Sequence, residues 1–394
     1  MNGNIFQHGN INFSSLRKRA YNMRWAQVEK GVIPLTAADP DFCICPQIKQ
    51  ALHDYIKEGV MSYGPAEGLP EFRKAIAKHM VRKYNVTCES EHVFAADSAA
   101  SAMYIIAKAL LKPGDEVIIF DPVDFLFKST IESVGAKAVL SKIDIANYQF
   151  DFSGIKDLIS TKTKMISICN PHNPLGIVMS KEDLNHIAKI AIEHDLWILS
   201  DEIWSDIIYR PHIFTSMASL SQDCSDRTIT VKGFSKNYGL AGLRVGCLVT
   251  TNEQLYKTLF DASLASYTIY GVSTLSQIAV IAALEEGEPW LNDFVIHLES
   301  MRDYLYQRLS KIRQLQCHLP QGTYVLFPKV KIDNINCEKL AEDILKIARV
   351  AIVPGCERWF GPGAHGHFRI AYPTSKVVLH EAVERIEHFF DTYY

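Results

Sequence analysis

Short apolar runs alternate with longer amphipathic stretches between residues 91 and 250. The apolar runs are rich in β-branched Val and Ile, which is typical of strands that helices cover on both faces. Of the stretches between them, 181–194 follows Ser180, a residue type that favours the start of a helix, and 99–111 ends before Pro113. The alternation therefore predicts parallel βαβ units and a sheet of seven strands. These predicted strands are 92–96, 116–120, 136–140, 165–169, 196–200, 228–231 and 245–250.

A different pattern follows residue 270. Two long stretches with helical spacing, 273–286 and 290–312, come first, with a break at Gly287 and Pro289. Only short β-rich runs follow, and this change predicts a smaller α+β unit after the large sheet domain. The predicted short strands lie at 323–330, 351–354 and 366–371. We expect three parts, an N-terminal segment at 1–45, a large domain at 46–288 and a small C-terminal domain at 289–394.

Composition and charge narrow the possible functions. Of the 394 residues, 48% are hydrophobic and 22% are charged, which is typical of a globular protein with a sizeable core. Lys and Arg (41) nearly balance Asp and Glu (44), so the net charge of −3 does not favour nucleic acid or an anionic membrane as a partner. No apolar run approaches the ~20 residues that span a bilayer, and no secretion signal opens the chain. We therefore expect a soluble, cytoplasmic protein.

The cysteines suggest neither disulfides nor a metal site. Nine cysteines form no C-x-x-C pair. Cys43 and Cys45 are two residues apart, but no second pair of Cys or His at ligand spacing accompanies them. We expect reduced thiols and no bound metal.

The stretch from Gly233 to Gly246 is the most informative part of the chain. Lys236 follows a predicted strand closely, glycines come next, and Arg244 lies eight residues after the lysine. An amine in this position can form a Schiff base, and the nearby guanidinium can hold an anion. The stretch resembles the cofactor-lysine motif of the class I/II aminotransferases, which are fold-type I enzymes that use pyridoxal 5′-phosphate (PLP). The resemblance implies that Lys236 carries PLP and that Arg244 binds its phosphate.

This resemblance extends over nearly the whole chain and implies a fold. The family fold is an α/β structure, with a mostly parallel seven-stranded sheet covered by helices on both faces and a smaller α+β domain. Three further motifs stand in the family's order, two of them directly after predicted strands and the third in the predicted C-terminal domain. Asn173 in Asn-Pro-His-Asn-Pro would contact the cofactor oxygen and the substrate, and Asp201 would pair with the protonated pyridine nitrogen. Arg369 in Phe-Arg-Ile would bind the substrate α-carboxylate as a bidentate pair.

The resemblance also implies a phosphate loop and a shared active site. Ser98 and Ala99 follow a predicted strand and open a predicted helix, whose N-terminus suits a phosphate, and Ser235 would add a hydroxyl. Tyr63 resembles the tyrosine that these homodimeric enzymes extend to the phosphate of the neighbouring subunit. Ala38 resembles part of the N-terminal segment that closes over the substrate carboxylate.

Three positions depart from the family pattern. Asp124 stands where the lyase branch of the family has a tyrosine stacked on the PLP ring, and only a shift of one residue would allow Phe125 to take that role. Trp204 stands where aminotransferases often have a tyrosine, so the cofactor oxygen would meet an indole, which is a donor only. Gly233 replaces a serine that often binds the phosphate.

The function predicted from these motifs is that of a PLP-dependent aminotransferase. It would act on an L-amino acid through an external aldimine and removal of the Cα proton by Lys236. A cysteine-conjugate or cystathionine C–S β-lyase is the alternative, because it shares these early steps and because Glu288-Pro289-Trp290-Leu291 and the run from Pro354 to Arg369 look like that branch. A regulatory module with the same fold is a second alternative, but such regulators carry an added DNA-binding region, and the N-terminal segment has neither the length nor the basic patch for one.

Overall fold

The architecture is built from strands whose bounds agree closely with the apolar pattern. A computed structural model describes residues 5–269 and 271–394. The strands of these residues are β1 Ile33–Pro34, β2 Val93–Ala96, β3 Glu116–Asp121, β4 Lys137–Asp144, β5 Gln149–Phe150, β6 Thr163–Cys169, β7 Trp197–Asp201, β8 Thr228–Gly233, β9 Gly246–Val249, β10 Leu315–Gln316, β11 Val325–Leu326, β12 Lys329–Val330, β13 Val350–Ala351, β14 Val353–Pro354 and β15 Phe368–Ala371.

One large sheet contains all seven predicted strands, in the order β2-β9-β8-β7-β6-β3-β4-β5. The strands from β8 to β4 in this order run parallel, whereas β9 is antiparallel to both of its neighbours. The predicted number of strands is wrong by one, because β5 adds an eighth strand, antiparallel to β4, at the edge of the sheet. This strand has only two residues, too few to produce a periodic pattern in the sequence.

Helices connect the strands and cover the sheet. Ser180 caps α6 as predicted, since its side chain accepts a hydrogen bond from the backbone of Asp183 and the Asp183 side chain accepts one in return. Ser98 caps α4, because its side chain accepts a hydrogen bond from the backbone N–H of Ser101. The α-helices of the described residues are α1 Phe13–Arg19, α2 Pro46–Glu58, α3 Pro70–Tyr84, α4 Ala99–Leu110, α5 Phe125–Glu132, α6 Lys181–Glu193, α7 Gln222–Ser225, α8 Glu253–Ser263, α9 Thr274–Glu286, α10 Glu288–Leu309, α11 Cys337–Asp343, α12 Glu357–Phe360 and α13 Lys376–Tyr393.

The C-terminal part has its own small sheets. Strands β11, β15 and β14 form one antiparallel sheet, and β10 pairs with β12. The N-terminal segment joins this part, because β1 pairs in parallel with β13. The division of the chain at residues 45 and 288 remains a prediction. Within the described residues, no helix is both long and apolar enough to cross a membrane.

Candidate active site

A cavity of about 640 Å³ lies at the carboxyl ends of the parallel strands, where open α/β sheets bind their ligands. All but one of the residues predicted for the site line it. They are Ala38, Ser98, Ala99, Asn173, Asp201, Trp204, Ser235, Lys236, Arg244 and Arg369. The exception is Tyr63, whose side chain is 94% exposed and which lines a separate groove.

The sheet explains why these residues meet. Asp201 is the last residue of β7, and it is in register with Cys169 at the end of β6. The loop after β6 carries Asn173, and the loop after β8 carries Lys236. Because neighbouring parallel strands end at one edge of the sheet, residues far apart in sequence converge there.

Lys236 places its amine within the cavity. The Nζ atom donates a hydrogen bond of 2.8 Å to the carbonyl oxygen of Ala38, and it lies 5.4 Å from the centre of the Trp204 ring. Burial lowers the pKa of Lys236 and favours the neutral amine that a nucleophile or base requires. The predicted residue Ala38 thus contributes its backbone carbonyl, which also accepts a bond from the Tyr324 hydroxyl.

Asp201 places a carboxylate at the floor of the cavity. The residue is buried, and its Oδ1 atom accepts a hydrogen bond of 3.1 Å from the backbone of Ile203. Burial raises its pKa to about 7, and the nearby Asp124 carboxylate adds to the effect. A cation beside Asp201 would stabilise its ionised form.

Arg369 projects from β15 into the opposite side of the cavity and is buried there. Its Nη1 donates to Asn173 Oδ1 at 3.0 Å, and its Nη2 donates to the Thr36 carbonyl at 3.2 Å. The Nε atom is buried without a hydrogen-bond partner among the described residues. The guanidinium is thus held in place while part of its donor capacity remains unused.

Asp124 joins this network, a role that the sequence did not predict. Its Oδ2 accepts a hydrogen bond of 2.9 Å from Asn173 Nδ2, and its Oδ1 accepts one of 3.2 Å from the backbone of Leu126 at the start of α5. A carboxylate can accept from both donors, whereas an amide has only one oxygen. Asp124 therefore fixes the Asn173 amide with its oxygen toward Arg369. The sequence marked Asp124 only as a departure from an aromatic residue.

The opposite end of the cavity suits an anion. Ser98 and Ala99 form the start of α4, where backbone N–H groups are free to bind an anion. Arg244 is exposed with a φ of 50°, and no ion pair involving it occurs within the described ranges. Gly246 allows β9 to approach, because a Cβ atom there would lie 2.7 Å from the Lys232 carbonyl oxygen and 3.0 Å from the Ala99 nitrogen. Close packing thus brings the helix start and Arg244 together.

The mouth of the cavity contains residues that the sequence did not single out as ligands. The rings of Phe125 and Trp359 pack edge to face with centres 5.6 Å apart. The Arg358 guanidinium lies 5.2 Å from the centre of the Trp359 ring, and Asn22 and Met23 line the other side. These residues come from three distant segments, and no local pattern links them. In the sequence, only the position of Phe125 next to Asp124 indicated that one of these residues lies near the site.

A buried polar cluster holds the loop that carries Lys236 in place. Asp206 accepts hydrogen bonds from Tyr84 and Asn237, the latter at 2.6 Å, and it pairs with Lys83. Lys232 donates to Ser205 nearby. Burial opposes ionisation of Asp206, but the Lys83 ammonium beside it holds its pKa well below the usual range. Since Asn237 directly follows Lys236, the cluster anchors the backbone that presents the active-site amine.

The arrangement agrees with known proteins. The model of the family described as aminotransferase class I and II matches residues 30–386. The chain belongs to this family. An aspartate aminotransferase of Bacillus sp. (strain YM-2) is 31% identical over 364 residues, which cover 91% of each protein. The predicted family and fold are therefore confirmed, whereas the resemblance to the lyase branch remains a prediction.

Solved structures show the same fold. The aromatic aminotransferase from Pyrococcus horikoshii OT3 has a TM-score of 0.86 and 30% identity, and the match covers 93% of this chain and 97% of that one. Cystalysin from Treponema denticola has a TM-score of 0.88 at 23% identity, with 95% of this chain and 97% of that one covered, which indicates a shared fold.

This aminotransferase is a PLP-dependent enzyme, as the sequence predicted. The cavity suits PLP on three counts. Buried Asp201 needs a cation beside it, and the exposed Arg244 is free to bind a phosphate. The Trp204 indole N–H is buried without an acceptor within the described part of the chain, so it can donate to a cofactor oxygen. When bound, PLP supplies an aldehyde that condenses with amines and a ring that withdraws electrons.

Proposed function

We propose that this aminotransferase moves the α-amino group of an L-amino acid to a 2-oxo acid, with Lys236 as the catalytic base and Arg369 as the ligand of the α-carboxylate. The observation that carries the proposal is that the Lys236 amine, the Asp201 carboxylate and the Arg369 guanidinium line the same cavity. An amino acid needs these three functions, namely a group that moves its Cα proton, a partner for the ring nitrogen and a cation for its carboxylate.

The surroundings of Lys236 support its role as a base. Burial lowers the pKa of its ammonium, so a larger fraction is neutral at physiological pH. The Ala38 carbonyl at 2.8 Å orients the amine without adding a charge. In this proposal Lys236 would hold the cofactor in the resting enzyme and, with the substrate bound, would move the Cα proton.

The contacts of Arg369 support its role as the carboxylate ligand. Its bonds to Asn173 and Thr36 hold the guanidinium in one plane, and its Nε has no partner among the residues that the structure describes. A planar guanidinium binds a carboxylate through two parallel N–H bonds, and such bonds are among the stronger ones in proteins. This pairing would orient the substrate so that its Cα proton faces Lys236.

The other predicted ligands divide between the two ends of the cofactor. Asp201 would hold the pyridine nitrogen in its protonated form, while Asn173 and Trp204 would donate to the ring oxygen. Asn173 uses one amide hydrogen on Asp124, so a second hydrogen is available for that role. Ser98, Ala99, Ser235 and Arg244 would bind the phosphate.

A product balance tests the proposed reaction. The holoenzyme is incubated with single L-amino acids and a 2-oxo acid acceptor, and the products are quantified. We expect one amino acid formed from the acceptor for each oxo acid formed from the donor, without release of ammonia. A cysteine conjugate that yields pyruvate, ammonia and a thiol faster than it transfers its amino group would instead identify the C–S β-lyase. The Lys236→Ala variant is the control for turnover that does not depend on this site.

We also propose that the active unit is a homodimer in which Tyr63 contacts the partner's phosphate. Tyr63 is 94% exposed in its own chain and lies outside the cavity. The groove beside it includes Met61 and Thr268, and further apolar side chains nearby are unusually exposed, among them Val60 and Tyr267. A cluster of exposed apolar residues is typical of a protein interface. This surface fits a second copy of the chain.

Mixing two variants tests this sharing. Arg244→Gln removes a phosphate ligand from the site of its own chain, and Tyr63→Phe removes one from the partner's site, so each homodimer should bind PLP about tenfold or more weakly. When the two are unfolded and refolded together, about a quarter of all sites should regain tight binding, because half of the dimers are mixed and each has one intact site. Tyr55→Phe is the control from the same groove. If Tyr63 acts within its own chain, no tight sites appear, and a purely monomeric active enzyme in sedimentation would contradict the dimer.

A further inference from the structure

A negative charge lies near the position of the substrate. Asp124 lines the cavity and is half-buried, and one amide side chain, that of Asn173, separates its carboxylate from the Arg369 guanidinium. A substrate whose α-carboxylate is held by Arg369 would therefore lie close to Asp124. The charge acts across the whole site, because it raises the pKa of Asp201 and opposes the burial effect on Lys236 and Arg369.

The network keeps Asp124 in this place. The two oxygens of its carboxylate accept from Leu126 and Asn173, and its backbone N–H donates to the Asn173 carbonyl at 3.2 Å. In the described residues no Lys or Arg forms an ion pair with Asp124. Its charge is thus hydrogen-bonded but not neutralised by a direct partner.

Two aromatic rings line the mouth of the cavity near Asp124. Phe125 and Trp359 pack edge to face there, and Arg358 is a cation at the same end. Arg358 is exposed, so water and salt screen its charge. At the effective dielectric constant of a protein site, two charges interact about four times more strongly than in bulk water. The charge of the half-buried Asp124 is therefore screened less by water than that of Arg358.

We propose that Asp124 determines specificity by selecting against acidic side chains, so that the preferred substrates are amino acids with uncharged side chains that pack on Phe125 and Trp359. This inference rests on the proposed function, since it takes Arg369 as the ligand of the α-carboxylate. A second carboxylate on the substrate would meet the Asp124 charge in a partly desolvated site. An uncharged polar or apolar side chain avoids this repulsion and gains contact with the aromatic rings.

Two ligands of the same shape test the proposal by calorimetry on the holoenzyme. Glutarate and its monoamide, 5-amino-5-oxopentanoate, both lack an α-amino group and do not react with PLP, and they differ by one charge at the far end. We expect the wild-type protein to bind the monoamide at least about tenfold more tightly than glutarate. In Asp124→Asn the ratio should fall to about threefold or less. If the substitution at Asp124 also disturbs the position of Arg369, the affinities of both ligands fall by the same factor and their ratio does not change.

Two further variants make the result decisive. Asp124→Ser removes the charge with another residue type that caps helices well, and it should give the same reduced ratio if Asp124→Asn does not fold. Glu357→Gln removes an exposed carboxylate that pairs with Lys128 and does not line the cavity, and it should leave the ratio unchanged.

The possible outcomes separate this proposal from the function on which it rests. Equal binding of the two ligands by the wild-type protein, or a ratio unchanged by both substitutions at Asp124, would overturn the specificity proposal alone. Arg369→Lys should weaken both ligands about tenfold or more, since a lysine cannot form the bidentate pair. If Arg369→Lys leaves both affinities unchanged, the assignment of the α-carboxylate site is wrong and the specificity proposal fails with it.

Discussion

Replacing Lys236 with alanine is expected to lower kcat by about 10⁴-fold or more. The substitution removes the amine that lines the cavity beside Ala38 and Trp204. In the proposed function this amine is both the covalent anchor of the cofactor and the base at Cα. Acid–base catalysis alone contributes about 10²–10⁴-fold to a typical enzyme. Steady-state assays with the best amino acid of the substrate panel give the size of the loss.

One measurement distinguishes lost chemistry from lost folding, and a second tests which lysine carries the cofactor. Added methylamine should restore part of the activity of Lys236→Ala, because a small amine can enter the space of the missing side chain and act as the base. In the wild-type protein, borohydride should fix PLP to Lys236 and not to Lys232, whose amine is buried and donates a hydrogen bond to Ser205. Labelling of another lysine, or normal turnover in the variant, would refute the assignment.

Replacing Asp201 with asparagine is expected to lower kcat by about 10²–10⁴-fold. The carboxylate is buried, and in the proposed function it pairs with the protonated ring nitrogen of the cofactor. Removing one partner of a buried ion pair costs about 3–5 kcal/mol. Retention of PLP through its phosphate should leave the visible absorbance of the bound cofactor measurable. A variant with near-normal kcat would show that the ring nitrogen has another partner.

Although it lowers kcat, Asp201→Asn should increase the free energy of unfolding of the PLP-free protein. The pKa of Asp201 is about 7 in the fold, whereas an unfolded chain has an aspartate pKa of about 4. Between these values the folded state binds more protons, so stability falls as the pH rises from about 4 to 7. Asp201→Asn removes this loss, which amounts to a few kcal/mol at about 1.4 per pKa unit. Urea unfolding at pH 4.5 and pH 8 should show the gain only at the higher pH.

The parts of the fold that the sequence predicted correctly depend on local signals. The buried parallel strands have continuous apolar runs, and the site motifs sit at their carboxyl ends, so Asn173, Asp201 and Lys236 meet as soon as the sheet forms. The cap of α6 by Ser180 is likewise a local pattern of a few residues. For these features, knowing which residues end each strand is enough to place the side chains at one edge.

The parts that the sequence did not predict depend on contacts between distant segments. The hydrogen bonds of Asp124 and Arg369 to Asn173 connect three separate parts of the chain, and nothing near Asp124 in the sequence indicates its partner. The aromatic pair of Phe125 and Trp359 joins two segments in the same way. Such contacts follow from how the elements pack against each other, so they appear only in three dimensions.

The pairing of β2 with β9 affects the stage of synthesis at which the protein can bind its cofactor. Ser98 lies two residues after the end of β2 and Arg244 lies two residues before the start of β9, and the register of these strands sets Ala96 opposite Gly246. The proposed phosphate pocket would therefore be assembled from an early and a late part of the large sheet. A nascent chain still on the ribosome would already contain Asp201 and Lys236, but it could not hold PLP firmly until the strand after Arg244 had emerged and paired with β2. Capture of the cofactor would thus mark the completion of the central sheet during synthesis.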